Sequence, residues 1–209
     1  MDRLIIIGAS GHGKVVADVA KLLNYTDIVF LDNDSSIKEC AGYPVIGKDN
    51  MTVHLDGEIF IAVGNAAVRK KLMERDKDRV FPTLIHPSAV IADSVNIGAG
   101  SVIMAGVVIN PGVSIGRGVI VNTSSSIDHD CIVNDFCHIS VGSHLCGTVN
   151  IGEETWIGAG ATVSNNLTIC GGCIIGAGAV VIKSIHNPGV YVGVPAKITK
   201  KTEGKAFCD

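Results

Sequence analysis

Ile97-Gly98-Ala99-Gly100-Ser101-Val102-Ile103 and Ile175-Gly176-Ala177-Gly178-Ala179-Val180-Val181 sample one periodic stretch that runs from Ile85 to Val181. Every sixth residue in it is aliphatic: Ile85, Ile91, Ile97, Ile103, Ile109, Ile115, Val121, Ile127, Val133, Ile139, Leu145, Ile151, Ile157, Val163, Ile169, Ile175 and Val181. Four places after each stands a second small or apolar residue, such as Val107, Val113, Val119, Cys131, Ala161 or Ala179. A period of six fits neither a helix nor a hairpin sheet. It predicts a left-handed parallel β-helix, in which three hexads form one triangular coil and stacked coils share a continuous core. Seventeen hexads then make between five and six coils.

Composition agrees with that interior. Apolar residues are 47% of the 209-residue chain but aromatic residues only 4%, which suits a narrow core of Ile, Val and Ala. No apolar run approaches the ~18 residues of a membrane span, and Leu4-Ile5-Ile6-Ile7 is too short for a signal peptide, so the expected location is cytoplasmic. A net charge of −3 gives no reason to expect nucleic acid or membrane as partner. Of the seven cysteines, Cys131, Cys137 and Cys173 fall on the second inward position of their hexads, where a thiol acts as a small core residue. Cys170 and Cys173 form a Cys-x-x-Cys, but no second pair completes a zinc site, and no metal is expected.

Before the hexads, Leu4-Ile5-Ile6-Ile7 leads into Gly8-Ala9-Ser10-Gly11-His12-Gly13 and then a helical pattern from Lys14 to Leu23. Further apolar runs, Ile28 to Leu31 and Ile59 to Val63, end at Asp32 and at Gly64-Asn65, and a basic helix follows from Ala66 to Glu74. Strands alternating with helices imply a small parallel Rossmann-like sheet. A glycine-rich turn after a first strand holds phosphate on backbone N–H groups and a helix N-terminus, and Asp32 stands where a Rossmann acid meets a ribose hydroxyl. The unit ends near Pro82, half the length of a dinucleotide fold, which leaves room for one nucleotide. The expected domains are residues 1–82 for the Rossmann-like nucleotide-sugar domain, 83–198 for the β-helix, and 199–209 for a mobile polar tail.

Within the β-helix, His129 occupies the third place of its hexad, pointing away from the core between Asp128 and Asp130. A histidine titrates near neutrality, and a neighbouring carboxylate selects its tautomer and raises its basicity. Eighteen residues away in either direction stand Pro111 and Gly147, so Gly147 offers bare backbone about 4.8 Å from the level of His129. Such a histidine suits removal of a proton from an amine attacking a thioester, with an N–H facing the oxygen that gains charge. His138 and His144 take the last places of their hexads. His138 lies half a coil from His129, and one face spans about 20 Å, so one chain does not easily bring both into one pocket; a neighbouring subunit can.

Three features together, Gly8-Ala9-Ser10-Gly11-His12-Gly13-Lys14-Val15-Val16, the unbroken hexads, and Gly193-Val194-Pro195-Ala196-Lys197, resemble the bacterial sugar acetyltransferases. These are the sialic acid O-acetyltransferase and UDP-4-amino-sugar N-acetyltransferase group. Asn122-Thr123-Ser124-Ser125, His129-Asp130 and His138-Ile139-Ser140-Val141-Gly142 resemble above all the bacillosamine-type N-acetyltransferases. The resemblance implies acetyl-CoA as donor, a nucleotide-linked amino sugar (a UDP-sugar) as acceptor, and a homotrimer with sites between subunits. It implies His129 as general base supported by Asp130, and His138, Gly147, Ala159, Ala177, Pro195 and Lys197 on the acetyl-CoA side. On the sugar-nucleotide side it implies Gly8, Ser10, Gly11, His12, Gly13, Asp32, Gly64, Asn65 and Asn122. The chain departs from the pattern in carrying Asp130 where relatives carry glutamate, which leaves open whether Asp128 or Asp130 orients the imidazole.

O-acetylation of a sialic acid or related sugar is the alternative within this class. A metal hydratase like the γ-type carbonic anhydrases shares the β-helix but requires three histidine ligands in a pattern that His129, His138 and His144 do not show. A nucleotide-sugar-binding assembly protein would leave the His129 cluster without purpose.

Overall fold

The computed structural model describes residues 3–201. Its first part is a five-stranded sheet of order β3-β4-β2-β1-β5, with β1 at Arg3–Ile7, β2 at Asp27–Leu31, β3 at Glu39–Cys40, β4 at Tyr43–Gly47 and β5 at Glu58–Ile61. β1 pairs in parallel with β2 and β5, so the expected nucleus of strand, turn, helix and strand is present. Helix α1 spans Gly11–Leu22 and α2 spans Ala66–Arg75. The β3–β4 hairpin has no apolar alternation to announce it. It turns on Ala41 and Gly42, both at positive φ, the pair that a two-residue hairpin requires.

The rest is the parallel β-helix. Seventeen two-residue strands, β6 (Leu84–Ile85) through β22 (Val180–Val181), recur every six residues and pair with strands eighteen residues away. They form three ladders: β6-β9-β12-β15-β18-β21, β7-β10-β13-β16-β19-β22 and β8-β11-β14-β17-β20. An isolated bridge between Ile169 and Ile185 closes the sixth coil. From Ile103 onward the inward positions are buried, Leu167 apart, including Cys131, Cys137 and Cys173 at 0% exposure, whereas Ile85, Ala89, Ile91, Val95 and Ile97 of the end coil are half-buried. Where the second inward residue is a serine, its hydroxyl donates to a main-chain carbonyl: Ser101 to Gly116 O at 2.9 Å, Ser125 to Asn122 O at 2.7 Å, Ser143 to Ser140 O at 2.7 Å. That removes the cost of burying an unpaired hydroxyl.

At the far end, β23 (Gly189–Val192) extends the first ladder, and β24 (Lys197–Lys201) pairs antiparallel with it. Residues 199–201, expected to open a mobile tail, are therefore strand; the remainder of that tail lies outside the described residues.

The two parts are joined over one face. Leu84, Val102 and Ile120, the outward residues of β6, β9 and β12, are buried in one cluster with Val16, Ala20 and Phe30 of the first domain. Phe136 is fully buried and clusters with Leu72 and Met73 of α2. Its backbone is left-handed at φ 59°, a conformation costly for a large side chain, so burial against α2 must outweigh that strain. A Cβ on Gly118, one coil below, would come within 2.7 Å of the Phe136 ring, which explains the glycine there. Phe136→Ala, which keeps the same backbone, lowers the unfolding free energy by about 3–5 kcal/mol in urea titration. A loss below about 1 kcal/mol would mean that this contact does not hold the domains together.

Candidate active site

His129 lies at the corner between β13 (Ser126–Ile127) and β14 (Ile132–Val133). Its Nδ1 is 2.8 Å from Asp130 Oδ2. A carboxylate only accepts, so Nδ1 carries a proton, and in the neutral ring Nε2 is the nitrogen with the lone pair. Asp128 does different work: its Oδ1 accepts from the His129 backbone N–H at 2.8 Å and from Asn110 Nδ2 at 2.7 Å. Asp130 thus orients the ring and Asp128 holds the peptide beneath it. The hydrogen bond with Asp130, and then the charge of Asp128, raise the imidazole's pKa above its ordinary value. The side chain stays 56% exposed, so it can exchange protons with solvent or substrate.

Nε2 aims across Gly147. A Cβ built there would fall 2.5 Å from it, so any side chain at position 147 would displace the imidazole. The carbonyl of His129 accepts from Thr148 N at 2.8 Å, and that of Gly147 from Asn166 N at 3.0 Å, so the stacking is continuous. The same corner carries on over Asn165 to Lys183, three coils or about 14 Å beyond His129. There it opens into a cleft of about 640 Å³ lined by Lys183, Tyr191, Pro195, Lys197 and Ile198. His129, Gly147, Asn165 and Lys183 therefore stand in one row of corners, and Pro195 and Lys197 line the cleft at the end of that row.

His138 is elsewhere. It lies in β15 (His138–Ile139), the next outward place after Leu84, Val102 and Ile120, just past the edge of the docked domain. Its ring is stacked on Trp156 at 5.6 Å and 2°, 6.4 Å from the ring of His12, with Asn122 Nδ2 3.4 Å from its Nε2. Burial, and then the Arg69 charge, bring the pKa of His12 down to about 4. Burial, Arg69 and His12 bring that of His138 down to about 3. Both are neutral near pH 7. His12 Nε2 is buried with no hydrogen-bond partner among the described residues, an unsatisfied group aimed into the junction. Ala159 and Ala177 are exposed on the corner after this face, not in the His129 row. One chain therefore presents the expected residues as two separate sets.

The glycine turn is shaped for an anion. Gly8 has φ 107°, and Gly13 passes so close to the first strand that a Cβ would meet Gly8 O at 2.1 Å. Ser10, the N-cap of α1, makes no side-chain cap, and the first turn holds no acid, so its N–H groups are available. Gly11 borders open space. The Asp32 carboxylate is already engaged, accepting from Ala9 N at 2.7 Å and Asp34 N at 2.9 Å; it supports the turn while lining a cleft of about 110 Å³ with Gly8, Asn33 and Asp49. Asn65 caps α2 through Val68 N at 3.1 Å, and Gly64 gives its carbonyl to Arg69 at 3.0 Å. Trp156 and Arg69 were missed from the sequence. The eighteen-residue spacing of His138 and Trp156 was the one available signal for the former.

Residues 3–75 match the model of the PglD N-terminal domain. The chain is 38% identical over 114 residues to UDP-N-acetylbacillosamine N-acetyltransferase of Bacillus subtilis (strain 168), covering 50% of this chain and 52% of that protein. The chain thus spans about half the length of this curated relative. It is similar throughout to the acetyltransferase domain of PglB from Neisseria gonorrhoeae FA1090, with 41% identity, 95% of this chain and 100% of that chain covered, and a TM-score of 0.92. It is similar also to a variant of perosamine N-acetyltransferase from Caulobacter crescentus in complex with CoA and GDP-perosamine, with 35% identity, 96% and 98% covered, and a TM-score of 0.91. Two-domain architecture, hexad register and full-length likeness agree: the chain belongs to the bacillosamine-type family of bacterial hexapeptide-repeat sugar acetyltransferases.

Proposed function

We propose that the protein transfers the acetyl group of acetyl-CoA to the amine of a nucleotide-linked amino sugar, with His129 as general base. The observation that carries this reading is His129 Nε2, the ring nitrogen that Asp130 leaves free, aimed over the bare backbone of Gly147. Acetyl-CoA supplies the acetyl group as a thioester. Nε2 removes a proton from the sugar amine as the new C–N bond forms, and the thioester C–S bond breaks. The imidazolium then returns that proton to the departing thiolate. The Gly147 N–H, which has no partner among the described residues, is the donor suited to the carbonyl oxygen as it gains charge. The pantetheine arm would follow the row of corners from Gly147 to Pro195 and Lys197, and the glycine turn would hold the diphosphate.

A thiol-release assay over UDP- and GDP-linked 4-amino sugars tests the function directly. Release with the 4-hydroxy sugar and not with its 4-amino counterpart would favour O-acetylation. His129→Ala lowers kcat by on the order of 10²–10⁴. In the wild type kcat/KM rises with pH as His129 loses its proton. Because its pKa is raised, that limb lies above the pH of an ordinary histidine. Asp130→Asn moves the limb to lower pH, whereas Asp128→Asn moves it less, since Asp128 acts only through its charge and the peptide. An unmoved limb in Asp130→Asn would remove Asp130 from its supporting role.

The separation of the two sets supports a homotrimer in which each site takes His129 from one subunit and His138, with His12, from the next. The variants His129→Ala and His138→Ala, each nearly inactive alone, regain activity when refolded together, because a mixed ring of three restores one complete site. Mixed trimers as inactive as their parents, with mixing verified by native mass spectrometry, would rule out the shared site.

A further inference from the structure

Arg69 is a cation only 1% exposed, on the second turn of α2. Its donors fan out to five main-chain carbonyls in two domains. On its own side, Nη1 donates to Val63 O at 2.7 Å and Gly64 O at 3.0 Å. Across the junction, Nε donates to Gly118 O at 2.6 Å, and Nη2 to Phe136 O at 2.7 Å and Cys137 O at 3.4 Å. Gly118 and Phe136 are the successive left-handed corners against which α2 packs.

These acceptors are not arbitrary surface. Cys137 immediately precedes His138, so the guanidinium grips the peptide that sets where the His138 ring begins. Val63 and Gly64 end the β5 segment, beside the glycine turn: a Cβ on Gly8 would meet Ala62 O at 2.8 Å and a Val63 methyl at 3.3 Å. His12 stands just past that turn, with its orphaned Nε2 facing the junction and its ring 6.4 Å from His138. A planar fork of five N–H groups can hold both backbones at fixed distance and angle. A lysine ammonium, with three donors on one atom, cannot reach both sets.

We propose that Arg69 is the positioning residue that aligns the two domains' contributions to the His12–His138 part of the site, by fixing His12 and the glycine turn against His138. Its charge, felt by both imidazoles, also favours their neutral forms, so the pair offers hydrogen bonds without competing for the substrate's proton. This role rests on the acetyl-transfer function proposed above.

The test separates binding from alignment. Arg69→Lys and Arg69→Ala are compared with wild type for binding of UDP, GDP and CoA by calorimetry, and for acetyl transfer to the amino-sugar nucleotide that wild type uses. In Arg69→Lys each diphosphate and CoA bind within about twofold of wild type, while kcat/KM falls by about 10²-fold, the effect of misplacing a reacting group by about an ångström. Guanidinium ion added to Arg69→Ala restores transfer, and methylammonium does not. The emission of Trp156, the one tryptophan and the stacking partner of His138, differs from wild type in both variants and returns with guanidinium. Transfer within threefold of wild type would overturn the proposal, and so would a fall in diphosphate binding that matches the fall in transfer, since Arg69 would then only hold the domain folded. Should Arg69→Ala not fold, Arg69→Lys, which keeps the charge and the aliphatic stem, carries the comparison. Failure of both to fold would equally make Arg69 a folding residue and overturn the proposal. A wild type that binds neither diphosphate and transfers nothing would instead defeat the underlying function.

Discussion

From Gly100 to Gly178 each corner of the β-helix places a left-handed residue at the fourth place of its hexad, and this constraint governs where everything else can go. Glycine meets it without strain at Gly100, Gly106, Gly112, Gly118, Gly142, Gly160, Gly172 and Gly178. The departures bear on function. Asp130 accepts φ 58°, a conformation that Asp tolerates better than most residues, and in return its carboxylate reaches the ring of the preceding histidine. Phe136 accepts the same strain and receives α2. Thr148, one coil above Asp130, uses its corner N–H to hold the His129 carbonyl. That corner bond is common to the coils, as from Gly142 N to Thr123 O, whereas at Asp130 and Phe136 the strained side chain does more than repeat the coil.

Imidazoles in this molecule fall into two environments with opposite effects. His129 is exposed and paired with a carboxylate, so its charged form is favoured and it can accept a proton at neutral pH. His12 and His138 are sunk at the domain junction beside a buried guanidinium, so their charged forms are disfavoured. Separate environments that push titratable groups apart allow one histidine to carry the proton while others only hold hydrogen bonds. The separation follows from geometry, because His129 occupies a corner pointing to solvent, whereas the outward ladder on which His138 sits runs under the docked domain.

Much of this was legible in the chain because it is periodic. A six-residue repeat fixes which residues face in, which face out and which stack eighteen places apart, and each of those statements depends only on counting. That arithmetic alone placed Cys131, Cys137 and Cys173 in the core and set Gly147 above His129. The glycine turn and the first helix were legible for a similar local reason: only a residue without a Cβ lets α1 approach the first strand as Gly13 does.

What counting along the chain did not supply was the angle and depth at which the first domain lies on the β-helix. The choice of Asp130 over Asp128 as the partner of the imidazole turned on a side-chain direction set by a left-handed backbone, not on adjacency, which the two share. Arg69 read as one more base on a basic helix, because its acceptors across the junction are main-chain carbonyls 49 to 68 residues away and carbonyls have no sequence signature. The last place of a hexad told nothing of the depth of His138, because its neighbour His12 comes from the docked domain. Periodic contacts are determined by the sequence by itself; contacts across the docking surface exist only once apolar burial over Leu84, Val102 and Ile120 has brought the two domains together.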